Sequence, residues 1–235
     1  MDHEYVGVKI VLVGEPATGK STLRKSFVSS ELKESLLMTL GVDIAKLQIP
    51  INDNLTLNAQ IWDIAGQESW ESVTNQFLMG AQAAIVVFDL TRPDTFDKCE
   101  NWIKKVLSVN PAKKNNIPYI IVGNKADLTD FIKIDDGTIE YYVEFLNRHK
   151  AYSQTDVEYV KTSAKTGFGV KQSLNRIGRV LVEHFRQVEE EIGGSKFKTL
   201  LNEAELEQES QTKEFVRMED GVIYPDDKKK YTSHF

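Results

Sequence analysis

The residues best suited to chemistry stand near the start of the chain. Gly14-Glu15-Pro16-Ala17-Thr18-Gly19-Lys20-Ser21 reads G-x-x-x-x-G-K-[ST], a spacing that suits the cradling of phosphate. Glycines let the backbone bend so that successive N–H groups converge on phosphate oxygens. A helix opening at Lys20 adds its positive N-terminal end. The Lys20 ammonium can then reach β- and γ-phosphates, and the Ser21 hydroxyl can ligate Mg2+. The alternative is a glycine turn that binds nothing. The context argues against it: Val8-Lys9-Ile10-Val11-Leu12-Val13 reads as a buried strand before the loop, and Thr22 to Val28 as a helix after it.

Three more polar motifs each follow an apolar run. They are Asp63-Ile64-Ala65-Gly66-Gln67, Asn124-Lys125-Ala126-Asp127 and Thr162-Ser163-Ala164-Lys165. Open α/β sheets bind ligands at the carboxyl ends of their strands, so the elements around these motifs must be strands. The first strand spans 6–13 and a helix follows from about Lys20 to Ser30. Glu31 to Met38 is polar and reads as a loop. Ile44–Ile51 and Leu55–Trp62 alternate apolar and polar around Asn52-Asp53-Asn54, which predicts a hairpin. Ser69 to Met79 reads as a helix. Ala83–Asp89 and Pro118–Gly123 read as buried strands, with a helix from about Asp94 to Ser108 between them. A helix from Gly137 to His149, a short strand at Val157–Val160 and a helix from Val170 to Glu190 complete the pattern. The alternation predicts an α/β fold: a mostly parallel six-stranded sheet with one antiparallel strand and helices on both faces.

Composition narrows the function classes. The chain has 235 residues, 41% of them hydrophobic, and a net charge of −6. That charge argues against a general nucleic-acid binder. Residues 187–220 carry ten acidic and four basic residues, so they hold the whole imbalance. Residues 1–190 are therefore read as the folded domain, and 191–235 as an acidic tail that is disordered or partly helical. Local structure around Leu200–Gln211, or a hairpin over Phe215–Tyr224, is the rival reading of the tail. Cys99 is the sole cysteine and reads as a packing residue in a reducing compartment. No apolar run is long enough to span a bilayer. The expected localisation is cytoplasmic, with membrane contact only through a partner.

The four motifs, in this order, resemble the Ras superfamily of small GTPases. Thr39-Leu40-Gly41-Val42-Asp43, Trp62 to Glu68 and Gly80-Ala81 look most like its Rab branch. The resemblance covers residues 6 to about 190, and it implies the P-loop small G domain fold. It further implies GTP/GDP and Mg2+ as ligands and a switch that hydrolyses GTP slowly without an activating protein. By resemblance, Gly14, Ala17, Thr18, Gly19, Lys20, Ser21 and Thr22 hold phosphates, while Ser21, Thr39 and Asp63 serve the metal. Gly66 meets the γ-phosphate and Gln67 orients the attacking water, with Lys20 stabilising transition-state charge. Asn124, Lys125 and Asp127 hold the base, joined by Ser163, Ala164 and Lys165. An Asp127 carboxylate pairs with guanine N1–H and the 2-amino group, which adenine does not offer.

Contacts from Thr39 and Gly66 to the γ-phosphate vanish on hydrolysis, so both loops relax. Effectors, exchange factors and activating proteins are thus expected at residues 31–45 and 66–80. Trp70 and Phe77 stand on that reading surface, and for Trp62 and Phe77 core packing is the competing role. Rab likeness implies membrane trafficking or signalling. Some residues depart from the pattern. Pro16 removes an N–H in the loop, Leu32 replaces an aromatic, and the Asp127–Ser163 loop is about ten residues longer, judged by the family pattern. No cysteine lies near Lys228–Phe235, which predicts no prenylation by the usual route. A GTP-holding scaffold with little hydrolysis is the competing expectation, motivated by Pro16.

Overall fold

The computed structural model describes residues 3–30, 37–39, 42–64, 71–109, 117–149 and 155–192. In chain order the elements are β1 (Glu4–Val13), α1 (Lys20–Ser30), β2 (Leu37–Thr39), β3 (Val42–Asn52) and β4 (Leu55–Ile64). They continue as α2 (Glu71–Leu78), β5 (Ala83–Asp89), α3 (Pro93–Asp97), α4 (Cys99–Ser108) and β6 (Tyr119–Asn124). A 3-10 turn at Thr129–Phe131 leads to α5 (Asp136–Arg148), β7 (Glu158–Lys161) and α6 (Val170–Ile192). The acidic tail, residues 193–235, lies outside the described residues.

The strands form one sheet in the order β2-β3-β4-β1-β5-β6-β7. β1 pairs in parallel with β4 and β5, and β5–β6 and β6–β7 are also parallel. The six expected strands are all present. A seventh, the three-residue β2, joins the hairpin edge, so Leu37 and Met38 are strand where sequence suggested loop. β3 runs antiparallel to both neighbours; β2 thereby points the same way as the rest, and β3 is the one reversed strand among those described. The expected helix over Asp94–Ser108 is interrupted at Lys98.

Alternation along the central strand explains the layering. Val8, Ile10 and Leu12 of β1 join Leu23 and Phe27 of α1 and Ile177 and Leu181 of α6 in one core. Val11 and Val13 face the other side, with Trp62, Phe77, Ile103, Ile139 and Leu146. Successive strand side chains point to opposite faces, so an apolar β1 needs helices on both. Trp62 and Phe77 are buried, with ring centroids 6.4 Å apart; both are core residues here. Cys99 is also buried, and its Sγ donates to the Thr95 carbonyl oxygen at 3.6 Å. Burial pushes its thiol well above the ordinary range.

One polar residue interrupts β1. Lys9 is fully buried. Its Nζ donates to the Met79 carbonyl at 2.7 Å, just past the end of α2, and lies 3.9 Å from the Trp62 ring centroid. A helix C-terminus and an aromatic face both favour a cation. The stretch that links the helices to β7 is organised by side chains. Asp135 caps α5 by accepting from the Thr138 N–H at 2.9 Å. Asn147 accepts from the Val157 N–H at 2.6 Å and donates to the Val157 carbonyl at 3.1 Å, imitating a strand neighbour at the entrance to β7.

Tyr159 on β7 gives a test of this packing. Its hydroxyl is buried with no hydrogen-bond partner among the described residues. It rests against Gly123, where an added Cβ would stand 2.9 Å away. An unpaired buried hydroxyl is a net cost. Tyr159→Phe should therefore leave stability unchanged or raise it by up to about 1 kcal/mol, read from urea unfolding. A loss of more than that would show that the hydroxyl has a partner in solution.

Candidate functional site

The parallel strands β1, β4, β5, β6 and β7 end on one edge, and each delivers polar residues there. β1 delivers the glycine loop. Gly14 leaves the strand at φ 140°, where a Cβ would come 2.1 Å from the Val87 carbonyl oxygen. Side chains are thus excluded by the neighbouring strand as well as by the turn. Ala17 is held at φ 62°, a left-handed conformation that non-glycine residues adopt at a cost. Thr18 Oγ1 donates to the Glu15 carbonyl at 3.0 Å. Ser21 and Thr22 are exposed at the opening of α1. Lys20 folds back over the loop, and its Nζ donates to the Gly14 and Glu15 carbonyls at 2.7 and 2.8 Å. Burial pushes its pKa down to about 8, against the pull of Asp63 and Glu15. A buried ammonium in that state gains from an anion brought within reach, so the loop fits phosphate.

β6 delivers Asn124, which is buried and makes three connections. Its Nδ2 donates to the Thr18 carbonyl in the glycine loop at 2.9 Å. Its Oδ1 accepts from the Ala164 N–H at 3.0 Å and the Thr162 hydroxyl at 3.2 Å. Gly19, at φ 95°, makes room for this: a Cβ there would lie 2.3 Å from Asn124 Nδ2. Asp127 accepts from the Ser163 hydroxyl at 2.6 Å, and Ser163 Oγ in turn accepts from the Thr166 N–H at 3.1 Å. The Ala164 carbonyl takes a bond from Ser26 of α1 at 2.6 Å. The structure thus brings together Gly14, Ala17, Thr18, Gly19, Lys20, Ser21, Asn124, Lys125, Asp127, Ser163 and Ala164 along one edge, with Lys165 exposed beside them.

β4 delivers Asp63, which is buried. Burial raises its carboxyl above the usual range, while Ser21, Lys20 and Arg24 pull it down and Asp43 pushes it further up. A hydroxyl and a carboxylate make a hard oxygen donor set, and a divalent cation would favour the ionised form. The residues fit Mg2+. Thr39 lies in β2, and Gly66 and Gln67 lie outside the described residues.

Sequence reasoning passed over several residues here. Asp89 ends β5 fully buried. It pairs with Lys125 Nζ at 2.7 Å and accepts from the Thr91 N–H and hydroxyl at 2.9 and 2.7 Å. Burial opposes its charge, but these partners prevail and hold the carboxyl below the usual range. Lys125 itself sits at φ 67°, its side chain tied down by this pair. An acid closing an apolar strand was the available signal, the same one that singled out Asp63. Two outer residues also grip the glycine loop. Trp102 Nε1 donates to Glu15 Oε1 at 2.9 Å, and Arg92 Nη1 donates to the Pro16 carbonyl at 3.1 Å.

A strand–glycine loop–helix unit, with its anchoring Asn two strands away on the same edge, defines a P-loop nucleotide-binding α/β domain. Comparison with known proteins narrows the class. The Ras family profile matches residues 9–183. The chain is 30% identical over 173 residues to the Ras-related protein Rab7 of Pisum sativum, covering 73% of this chain and 81% of that one. It is 30% identical over 187 residues to the Ras-related protein Rab-1 of Theileria annulata, covering 79% of each. The chain belongs to the Ras family and is a Rab-like small GTPase.

The Asp89–Lys125 pair is open to a pH test. A carboxyl held low in the fold stabilises fully above its unfolded value of about 3.9 and loses that contribution as pH falls through the lower folded value. Asp89→Asn should cost about 2–3 kcal/mol at neutral pH, by leaving Lys125 without its buried partner. In urea unfolding the gap to wild type should stay constant from pH 5 to 8 and close below pH 4. A gap that persists unchanged at pH 3 would trace the loss to packing.

Proposed function

We propose that this protein is a GTP-hydrolysing switch whose metal is Mg2+. The observation that carries the reading is Asn124. One buried amide ties the phosphate loop to the loop bearing Asp127 and to the loop bearing Ser163 and Ala164. Phosphate and base sites are thereby held at a fixed spacing. Residues 1–190 form the working domain, and 191–235 its tail.

In this reading the loop amides from Gly14 to Thr22 and the Lys20 ammonium hold the phosphates. Ser21, Thr39 and Asp63 would hold the Mg2+, which would supply charge neutralisation to the phosphates. Asp127, kept in orientation by Ser163, accepts from guanine N1–H and the 2-amino group. The Lys125 stem, tied by Asp89, covers the base. The Ala164 amide is shared between Asn124 and the guanine carbonyl, with Lys165 beside it. Gln67 orients a water that attacks the γ-phosphorus. The bond from that phosphorus to the bridging oxygen breaks, and GDP and phosphate leave. Lys20 stabilises charge that develops on the oxygens, so positioning and electrostatics account for catalysis. Hydrolysis is slow without an activating protein. Effectors and regulators read residues 31–45 and 66–80, and Rab likeness supports a role in membrane trafficking or signalling.

Two variants test the reading. In GTP- and Mg2+-loaded protein followed by chromatography, Gln67→Leu should slow conversion to GDP at least about tenfold. Equal GTP remaining in both proteins would remove Gln67 from its role and favour a GTP-holding scaffold. Asp127→Asn replaces two acceptor oxygens with an amide that donates. It should weaken GDP binding by about 1–3 kcal/mol and improve binding of xanthosine diphosphate, whose C2 carries a carbonyl. Unchanged guanine selectivity would overturn the base assignment.

A further inference from the structure

The metal-side carboxylate has a companion that the proposed cycle does not use. Arg24 stands on α1 four residues after Lys20 and three after Ser21, and so on the same flank of the helix. Its side chain is 3% exposed. Nη2 lies 3.2 Å from Asp43 Oδ2, and Nε lies 3.8 Å from Asp63 Oδ2. Nε makes no hydrogen bond among the described residues. Asp43 and Asp63 are register partners across β3 and β4. Like charges directly opposite each other repel, and a single guanidinium serves both. It completes its bond to Asp43 and leaves the one to Asp63 unfinished.

We propose that Arg24 is a positioning residue for the metal-binding carboxylate, a built-in cation that weakens the mutual dependence of nucleotide and divalent metal. The inference rests on Asp63 and Ser21 being a Mg2+ site. A fixed cation beside Asp63 disfavours a second cation there. Without metal, the same charge offsets the repulsion between Asp63 and nucleotide phosphates. Both effects lower the coupling between the two ligands, and that coupling is reciprocal by linkage. Arg24 also bridges α1 to β3, the strand that follows Thr39, so the metal carboxylate and the first switch region share one counter-ion. A purely structural Arg24 would act alike with and without metal, which makes the two roles separable.

The test uses the full chain loaded with fluorescent mant-GDP, with release rates measured in excess Mg2+ and in EDTA. The readout is the ratio of the two rates, together with the Mg2+ concentration that half-suppresses release. Arg24→Met should raise the ratio at least about fivefold and lower the Mg2+ midpoint. A unit charge about 4 Å away supplies a factor of that order even at the dielectric of bulk water, about 80, so fivefold is a lower bound. Arg24→Lys should keep the ratio within about twofold of wild type, since it restores the charge. Asp43→Asn is the second arm. It frees the guanidinium for Asp63 alone and should lower the ratio at least about twofold, opposite in direction to Arg24→Met. Rates that change by one common factor in both conditions, leaving the ratio as in wild type, would overturn the proposal. If Arg24→Met does not fold, an unchanged ratio in folded Asp43→Asn overturns it equally. Wild-type release indifferent to EDTA would instead remove the Mg2+ assignment itself.

Discussion

The arrangement of the binding edge depends on one buried side-chain amide. Asn124 donates to the glycine loop and accepts from Thr162 and Ala164, so three loops from three strands meet at one residue. A buried amide that lost these partners would leave several polar groups unpaired, each a cost in a low-dielectric interior. The loops are therefore held as one body. The geometry explains why Gly19 has no side chain: the space a Cβ would need is occupied by Asn124 Nδ2. In the motif, that glycine serves packing between loops.

Around this anchor the edge concentrates charge in places that would otherwise exclude it. Asp63, Asp89, Lys20 and Arg24 are all buried. Each has a partner of opposite charge or a neighbouring hydroxyl or carbonyl, which is the condition for keeping charge inside. The two non-glycine left-handed residues among those described, Ala17 and Lys125, lie in the glycine loop and the loop after β6. Strain of this kind persists only where surrounding contacts over-determine the backbone, and the Asp89–Lys125 pair is one such contact. The edge is thus pre-organised by ion pairs and hydrogen bonds.

The departures from the family pattern acquire a physical setting here. Pro16 is exposed, and its carbonyl accepts from Arg92. Glu15, next to it, is held by Trp102 of α4. Both residues are thereby tethered from outside to the segment that follows β5. The stretch before β7 is held, where described, by the Asp135 cap and by Asn147 against Val157.

Much of this was legible in the sequence because it is local. Apolar runs marked β5 to the residue, and the start of α1 followed from a lysine after glycine. The four polar motifs stood out because each follows an apolar run, and the one reversed strand among the described residues followed from the alternation around Asn52-Asp53-Asn54. The rest depends on contacts across long sequence separations, which periodicity does not record. β2 is three residues long and exists by pairing with β3. Trp62 and Phe77 became core once two faces of the sheet were covered. The Asp89–Lys125 pair joins adjacent strands, the Arg24–Asp43–Asp63 group joins a helix to two strands, and Trp102 reaches Glu15 from 87 positions away. Sequence determined which groups could do chemistry and which strand ends would carry them. Tertiary structure decided which charges are buried together, because burial and partner choice are properties of packed elements and not of any one segment.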